Sequence, residues 1–229
     1  MAASPAFITP VFKIGPVVVT NTVVMTWAII CVLVAASWET TRGLRAVPGV
    51  WQVVIEGLVS AIEDAIRAVL PDAYRQVMPF VATLWLFILA ANLASVLPGM
   101  RSPTGDLSLT AALAVLVFFS VHWYGICANG LKSYLGHYLS PNPILLPFHL
   151  ISEISRTVAL AVRLFGNIFS LQMAALLVLL VAGFLAPVPV LMLHIIEAVV
   201  QAYIFGMLAL IYIAGAIQSQ QLKQLREKE

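Results

Sequence analysis

Charge is what this sequence has least of. Only 10% of its 229 residues are Asp, Glu, Lys or Arg, while 62% are hydrophobic. A soluble domain needs far more charge than that on its surface, which excludes the class. The formal net charge of +2 leaves no electrostatic footprint for nucleic acid. Cysteine is nearly absent: Cys31 and Cys127 lie far apart, each inside an apolar run. They form no disulfide framework, and with no CxxC pair or His/Cys cluster, neither a metal nor a cofactor is expected. Short alternating strands, the mark of a transmembrane barrel, are missing too. The first residues lack the basic start, short apolar core and small-residue cleavage site of a signal peptide, so the first apolar run is read as a retained span.

What is present is apolar sequence in runs of about 20 residues, each long enough to cross a bilayer core of about 30 Å. The expectation is an all-α polytopic membrane protein with about five membrane-embedded helices, read as one membrane domain over residues 1–229. Span one covers 17–37 and ends at Trp38, an interfacial anchor. After Pro48-Gly49 the pattern turns amphipathic over 50–70. Val54, Leu58, Ile62, Ala65, Ile66 and Val69 share one face, and Gln52, Glu56, Ser60, Glu63, Asp64 and Arg67 the other. That spacing suits a helix lying on the membrane surface or packing on a partner. Span two covers 76–98, carries Asn92 and Ser95, and closes at Pro98-Gly99. Residues 101–106 read as a turn, and span three follows at 107–127.

The stretch 148–186 holds no proline and no turn cluster. As one helix it is about 60 Å long at 1.5 Å per residue, about twice the hydrocarbon core. It is therefore expected to be strongly tilted or bent. Pro187 and Pro189 end it, and a last helix covers 190–218, followed by a polar tail. With the N-terminus outside, the inner segments hold Arg42, Arg45, Arg67, Arg75, Lys132, Lys223, Arg226 and Lys228. The outer ones hold only Lys13 and Arg101. The positive-inside rule then places the C-terminus in the cytoplasm.

Ionisable groups inside spans are costly and mark functional sites. On the long helix His149, Glu153, Arg156, Arg163 and Asn167 recur at steps of three, four and seven, which places them on one face. Glu153 and Arg156 lie near the cytoplasmic end, where mutual pairing or snorkelling accounts for them as readily as a path does. Arg163 is enclosed by Val158, Leu160, Ala161, Val162, Leu164 and Phe165, too deep to snorkel. His194, Glu197 and Gln201 repeat the pattern on the last helix. An arginine does not exchange protons under physiological conditions. It can hold a nearby carboxylate ionised and repel cations that would leak past. Glu197 and His194 can exchange protons. The residues thus describe a gate charge beside a titratable path, and the mobile carboxylate must come from another chain.

The segment Ser155-Arg156-Thr157-Val158-Ala159-Leu160-Ala161-Val162-Arg163-Leu164-Phe165-Gly166-Asn167 resembles the signature of subunit a of the F-type ATP synthases. Gln201-Ala202-Tyr203-Ile204-Phe205 is similar to the same family's last-helix motif, and the resemblance runs over essentially the whole chain. It implies an ion-translocating stator subunit, not itself an enzyme. Such a subunit packs against a rotating ring of c subunits, each with one essential carboxylate. The b subunits of the peripheral stalk and the remaining ATP synthase subunits are its other partners. Two offset half-channels for H⁺ or Na⁺, a bacterial inner-membrane location and a steeply tilted pair of long helices are also implied. By motif position Arg163 matches the family's essential arginine. Asn167, His194 and Gln201 match channel-associated or arginine-adjacent positions, and Asn92 an access position in span two.

The chain departs from the family where many bacterial members carry a carboxylate and it has Gln172, which assigns that function to Glu197. Many members also have Glu in place of His149, with Glu153 one turn later here, so the exit path is expected to be built differently. Two other classes fit the residues less well. A secondary transporter usually shows inverted repeats and broken helices, and no internal repeat stands out. A structural scaffold leaves Arg163, Glu197 and Gln201 unexplained.

Overall fold

The computed structural model describes residues 10–14, 17–43, 49–94, 102–130, 146–182 and 187–226. Arg45, Pro48, Ser95, Pro98-Gly99, Arg101, Lys132, Lys228 and residues 183–186 of the long stretch, each of which entered the sequence reading, lie outside them. Among the described residues five helices are long and apolar enough to cross a membrane. The all-α polytopic fold class expected from the sequence is the one observed.

The chain begins differently from the reading above. Residues Pro10–Ile14 (β1) and Val17–Thr20 (β2) pair as an antiparallel ladder. The first helix, α1, runs Asn21–Arg42, so span one starts four residues later than 17 and extends past 37. β-branched residues on either side of Gly15-Pro16 carry the strand signal, which hydropathy alone merges into the following span. Nothing in α1 is buried, and its contacts are with β2, α3 and the α3–α4 connection.

Helix α2, Val50–Val69, buries only Ile62 and Ile66. Its first half leaves Val50, Trp51, Val53, Val54 and Leu58 exposed, an apolar face that suits a bilayer surface or another subunit. It stops at Leu70 because Pro71 follows, and a residue before proline is driven out of the helical region; Leu70 has φ −138° and ψ 72°. The corner into α3, Tyr74–Leu93, is tied by Arg67, whose Nη2 donates to Glu63 Oε1 at 2.7 Å and to Tyr74 Oη at 2.9 Å. A short 3₁₀ turn, Pro103–Gly105, leads into α4, Leu107–Asn129.

The last two helices are α5, Leu146–Ala182, and α6, Pro187–Arg226, of 37 and 40 residues. At 1.5 Å per residue they are about 55 and 60 Å long, against a hydrocarbon core of about 30 Å. Neither fits a bilayer upright. Pro187 and Pro189 lie inside the start of α6, so the last helix begins three residues before 190. Proline in a first helical turn forfeits no hydrogen bond, because those N–H groups have no intrahelical acceptor. The helix also continues through the polar segment to Arg226, well past 218.

The core sits around α6, which packs on α2, α3, α4 and α5. Ala198, Ala202, Phe205, Ala209, Leu210, Ile213, Ala214 and Ile217 form its buried face. Small residues at four-residue steps (198, 202, 206) let a neighbouring helix approach closely, the packing mode favoured where lipid removes the hydrophobic drive between helices. Helix α5 contributes Leu160, Ala161, Leu164 and Ile168, packs on α4, α6 and the 3₁₀ turn, and leaves its opposite face uncovered.

Candidate functional site

Arg163 lies on that uncovered face of α5. Leu160, Leu164 and Ile168 point into the core, whereas Arg163 is exposed and flanked by Val158 and Val162, each 54% exposed. Among the described residues it has no hydrogen-bond or ion-pair partner. Helical periodicity explains this: the apolar step of four sets the packed face, and position 163 falls about 100° away from 164.

One turn on, Asn167 Nδ2 donates to Gln201 Oε1 at 2.6 Å. The sequence placed these two residues on separate helices, and the fold brings them together across the α5–α6 contact. Gln201 is 1% exposed, and its Nε2 is buried without a partner among the described residues. A buried amide hydrogen with no acceptor is costly. It provides a donor at the level of the arginine for a water or another oxygen.

His194 is also buried, at 3% exposure. Glu197 is half-buried at the margin of the same face. Gln201 lies two turns beyond His194, so the predicted set does share a side of α6, with the carboxylate at its edge.

Asn92 is fully buried near the end of α3. Its Oδ1 accepts from Thr104 Oγ1 at 2.6 Å, and its Nδ2 donates to the Ala198 carbonyl on α6 at 3.5 Å. Ser102 Oγ donates to the Ala91 carbonyl at 2.8 Å and is hydrogen-bonded to the Thr104 hydroxyl. Gln172 reaches the same turn. A Cβ placed on Gly105 would stand 2.9 Å from Gln172 Oε1 and 3.1 Å from Nε2, so the glycine makes room for the amide. Asn92, Ser102, Thr104 and Gln172 thus converge at the end of the bundle where α3 meets α4. Ser102 and Thr104 were missed by the sequence reading, which took 101–106 as a plain turn. Two hydroxyls flanking Pro103 were the available signal, but only their inward orientation makes them part of the cluster.

The turn is held by Asp106. Its Oδ1 accepts from Ser108 N at 2.9 Å and Ser108 Oγ at 2.6 Å, capping α4, and its Oδ2 accepts from Thr22 Oγ1 at 2.9 Å. Burial pushes this carboxyl up, but the hydrogen bonds from Ser108 and Thr22 outweigh it and hold it below the usual range. A depressed folded-state pKa adds stability above the unfolded value and loses it as pH falls through the folded one. Asp106→Ala should therefore cost about 1 kcal/mol, the usual worth of such a cap, at neutral pH. The gap to the parent should close as pH falls below about 4. Thermal unfolding of the purified protein in nanodiscs measures it, and a gap unchanged down to pH 3 contradicts the assignment.

At the opposite end, Glu153 pairs with Arg156 at 3.7 Å, and the Arg156 guanidinium sits 5.1 Å from the Tyr212 ring centroid on α6. His149 is exposed on the same stretch of α5. Mutual pairing therefore accounts for Glu153 and Arg156 in the isolated chain. His149 and Glu153 lie one turn apart and are removed from the Asn167–Gln201 level by about four to five turns of α5. Among the described residues no group of His, Cys, Asp and Glu could hold a metal ion.

Known proteins are similar to this chain over nearly its full length. Residues 20–214 match the family model described as ATP synthase A chain. ATP synthase subunit a 2 of Pelobacter propionicus is 61% identical over 218 residues, covering 95% of this chain and 96% of that protein. ATP synthase subunit a of Legionella pneumophila (strain Paris) is 58% identical, with 94% of each covered. ATP synthase subunit a 1 of Hahella chejuensis is 63% identical over 211 residues, covering 92% of this chain and 90% of that protein. With both its long apolar helices and its sequence so accounted for, the chain belongs to the ATP synthase A chain family.

Proposed function

We propose that this chain passes H⁺ or Na⁺ to and from the carboxylates of a c-subunit ring through two half-channels, with Arg163 as the charge that separates them. As a family member it is an integral membrane protein, a non-catalytic stator subunit in the membrane sector of an F-type ATP synthase, and other subunits of that complex are its partners. The observation that carries the finer reading is Arg163 itself: exposed from a packed apolar helix and unpaired among the described residues, with apolar flanks that lead us to expect it too deep to reach water. A charged side chain at the centre of a bilayer costs about 2.5–3.5 kcal/mol or more. Only a partner offering negative charge on that face offsets this, and a ring carboxylate does so.

The outer half-channel in this reading runs through Gln172, Asn92, Ser102 and Thr104, then His194 and Glu197, to the Asn167–Gln201 pair beside the arginine. The inner one follows His149, Glu153 and Arg156, whose pair opens when the ring covers this face. The Lys/Arg asymmetry puts the N-terminus outside and the C-terminus in the cytoplasm of a bacterial inner membrane. The b subunits fit the uncovered helices α1 and α2. Which ion passes depends on oxygen ligands beside the ring carboxylate.

Loss of coupled ATP synthesis on replacing Arg163 tests the gate. The inner path has its own test. Cysteines at 149, 153 and 156 in the assembled complex should react with membrane-impermeant thiol reagents from the cytoplasmic side and be shielded from the other. Uniform protection of all three would show that this face is dry and remove it from the path.

A further inference from the structure

We infer that Trp85 and Gly206 form a lock between α3 and α6 that sets the height of the ion-path residues on α6. Trp85 is 7% exposed and Gly206 is buried. A Cβ built on Gly206 would fall inside the indole, on its Nε1 and Cδ1 atoms. No side chain fits between them, so the glycine is what lets the ring lie against the α6 backbone. The indole Nε1 donates to the Tyr203 carbonyl at 3.3 Å, and its ring stacks on that of Tyr203 with centroids 5.9 Å apart and planes 14° apart.

A second bond joins the same two helices. Asn92, two turns from Trp85 on the same face of α3, donates to the Ala198 carbonyl at 3.5 Å. Later residues of α3 meet earlier residues of α6, as antiparallel helices require. Two side-chain donors on α3 are thus matched to two backbone carbonyls on α6, five residues apart. Sliding α6 by one residue, about 1.5 Å, breaks both bonds and drives the helix backbone into the indole. Glu197 and Gln201 lie between or beside these points, so the height of α6 decides whether Gln201 meets Asn167 on α5. Trp85 and Gly206 touch no ion; they are positioning residues.

The consequence for ion flow rests on the proposed function, whereas the geometric claim does not. A 1 Å misplacement of reacting groups can cost about 10²-fold in rate. In the complete ATP synthase complex, Gly206→Ala should lower ATP-driven ion pumping per assembled complex by about that factor. The double variant Gly206→Ala with Trp85→Leu, which clears the space, should restore most of it. A separate preparation reads geometry alone. With Cys31 and Cys127 replaced by Ser, and Asn167→Cys and Gln201→Cys introduced, a short bifunctional thiol reagent should bridge α5 and α6. Gly206→Ala should abolish the bridge, and adding Trp85→Leu should return it.

Parent-like bridging and pumping in Gly206→Ala would overturn the lock, as would a double variant no better than the single one. Where Gly206→Ala alone fails to assemble, a double variant that assembles and bridges supports the lock, and one that also fails overturns it. Should Arg163→Ala prove harmless while bridging is lost and regained as described, the gate reading falls and the lock stands.

Discussion

Replacing Arg163 with alanine should abolish ATP synthesis driven by an ion gradient in inverted membrane vesicles, while the complex still assembles. The two halves of that expectation have separate causes. Assembly survives because Arg163 contributes nothing to the packing of α5. That helix is held by Leu160, Leu164 and Ile168, at 2, 0 and 0% exposure, and Arg163 has no hydrogen-bond or ion-pair partner among the described residues. Removing a charge that costs about 2.5–3.5 kcal/mol in a bilayer even favours the isolated chain.

Coupling is expected to fail because, among the described residues, no other cation lies at that level of α5; Arg156 is two turns away and paired with Glu153. Val158 and Val162 are apolar, and Asn167 is engaged with Gln201. Without a fixed positive charge, a ring carboxylate passing this level has no reason to stay ionised. Nor is there then a barrier between the two proposed half-channels. Near-normal synthesis at normal subunit levels would sink the gate. Arg163→Lys distinguishes charge from geometry. A lysine is a compact point charge that readily loses its proton when desolvated, so it should recover little activity.

The second large effect is expected at Glu197. Glu197→Gln keeps the volume and most of the hydrogen-bonding capacity but removes the ability to take up a proton. A positioned proton-transferring group typically contributes 10²–10⁴-fold; a loss of about 10²-fold in ion flux at neutral pH is therefore expected. The altered pH dependence matters more than the drop, because a dipolar group cannot titrate. Flux measured in proteoliposomes as a function of pH decides the matter. An unchanged profile would take Glu197 off the path and leave its half-buried carboxylate as a surface feature of α6. Glu197→Asp should keep part of the flux, since the proton carrier is kept and only its reach shortens.

The proposed gate is legible in the sequence because it depends on one helix. A guanidinium flanked by apolar residues, with polar residues at steps of three and four, is a statement about neighbours along the chain. The span count was legible for the same reason. The start of α1 was not, since β-branched residues satisfy a hydropathy window whether they lie in a strand or a helix, and Thr20 rather than Val17 precedes the first turn. Pro187 and Pro189 read as the end of one helix when they are equally the beginning of the next. The turn at 102–106 looked like plain connection because nothing in Ser-Pro-Thr-Gly-Asp says that its hydroxyls point inward.

By itself, the sequence determined that this protein lives in a membrane and that its stretch 148–186 is too long to stand upright, and it raised the expectation that Arg163 is answered by another chain. Those conclusions follow from periodicity, length and the cost of charge in hydrocarbon, all of them local. Only the tertiary structure decided which polar groups meet. Asn167 with Gln201, Asn92 with Thr104 and the Ala198 carbonyl, and Trp85 with Gly206 depend on the rotation and height of one helix against another. A repeat along one chain segment defines a face, but the partner of that face is chosen by packing across segments.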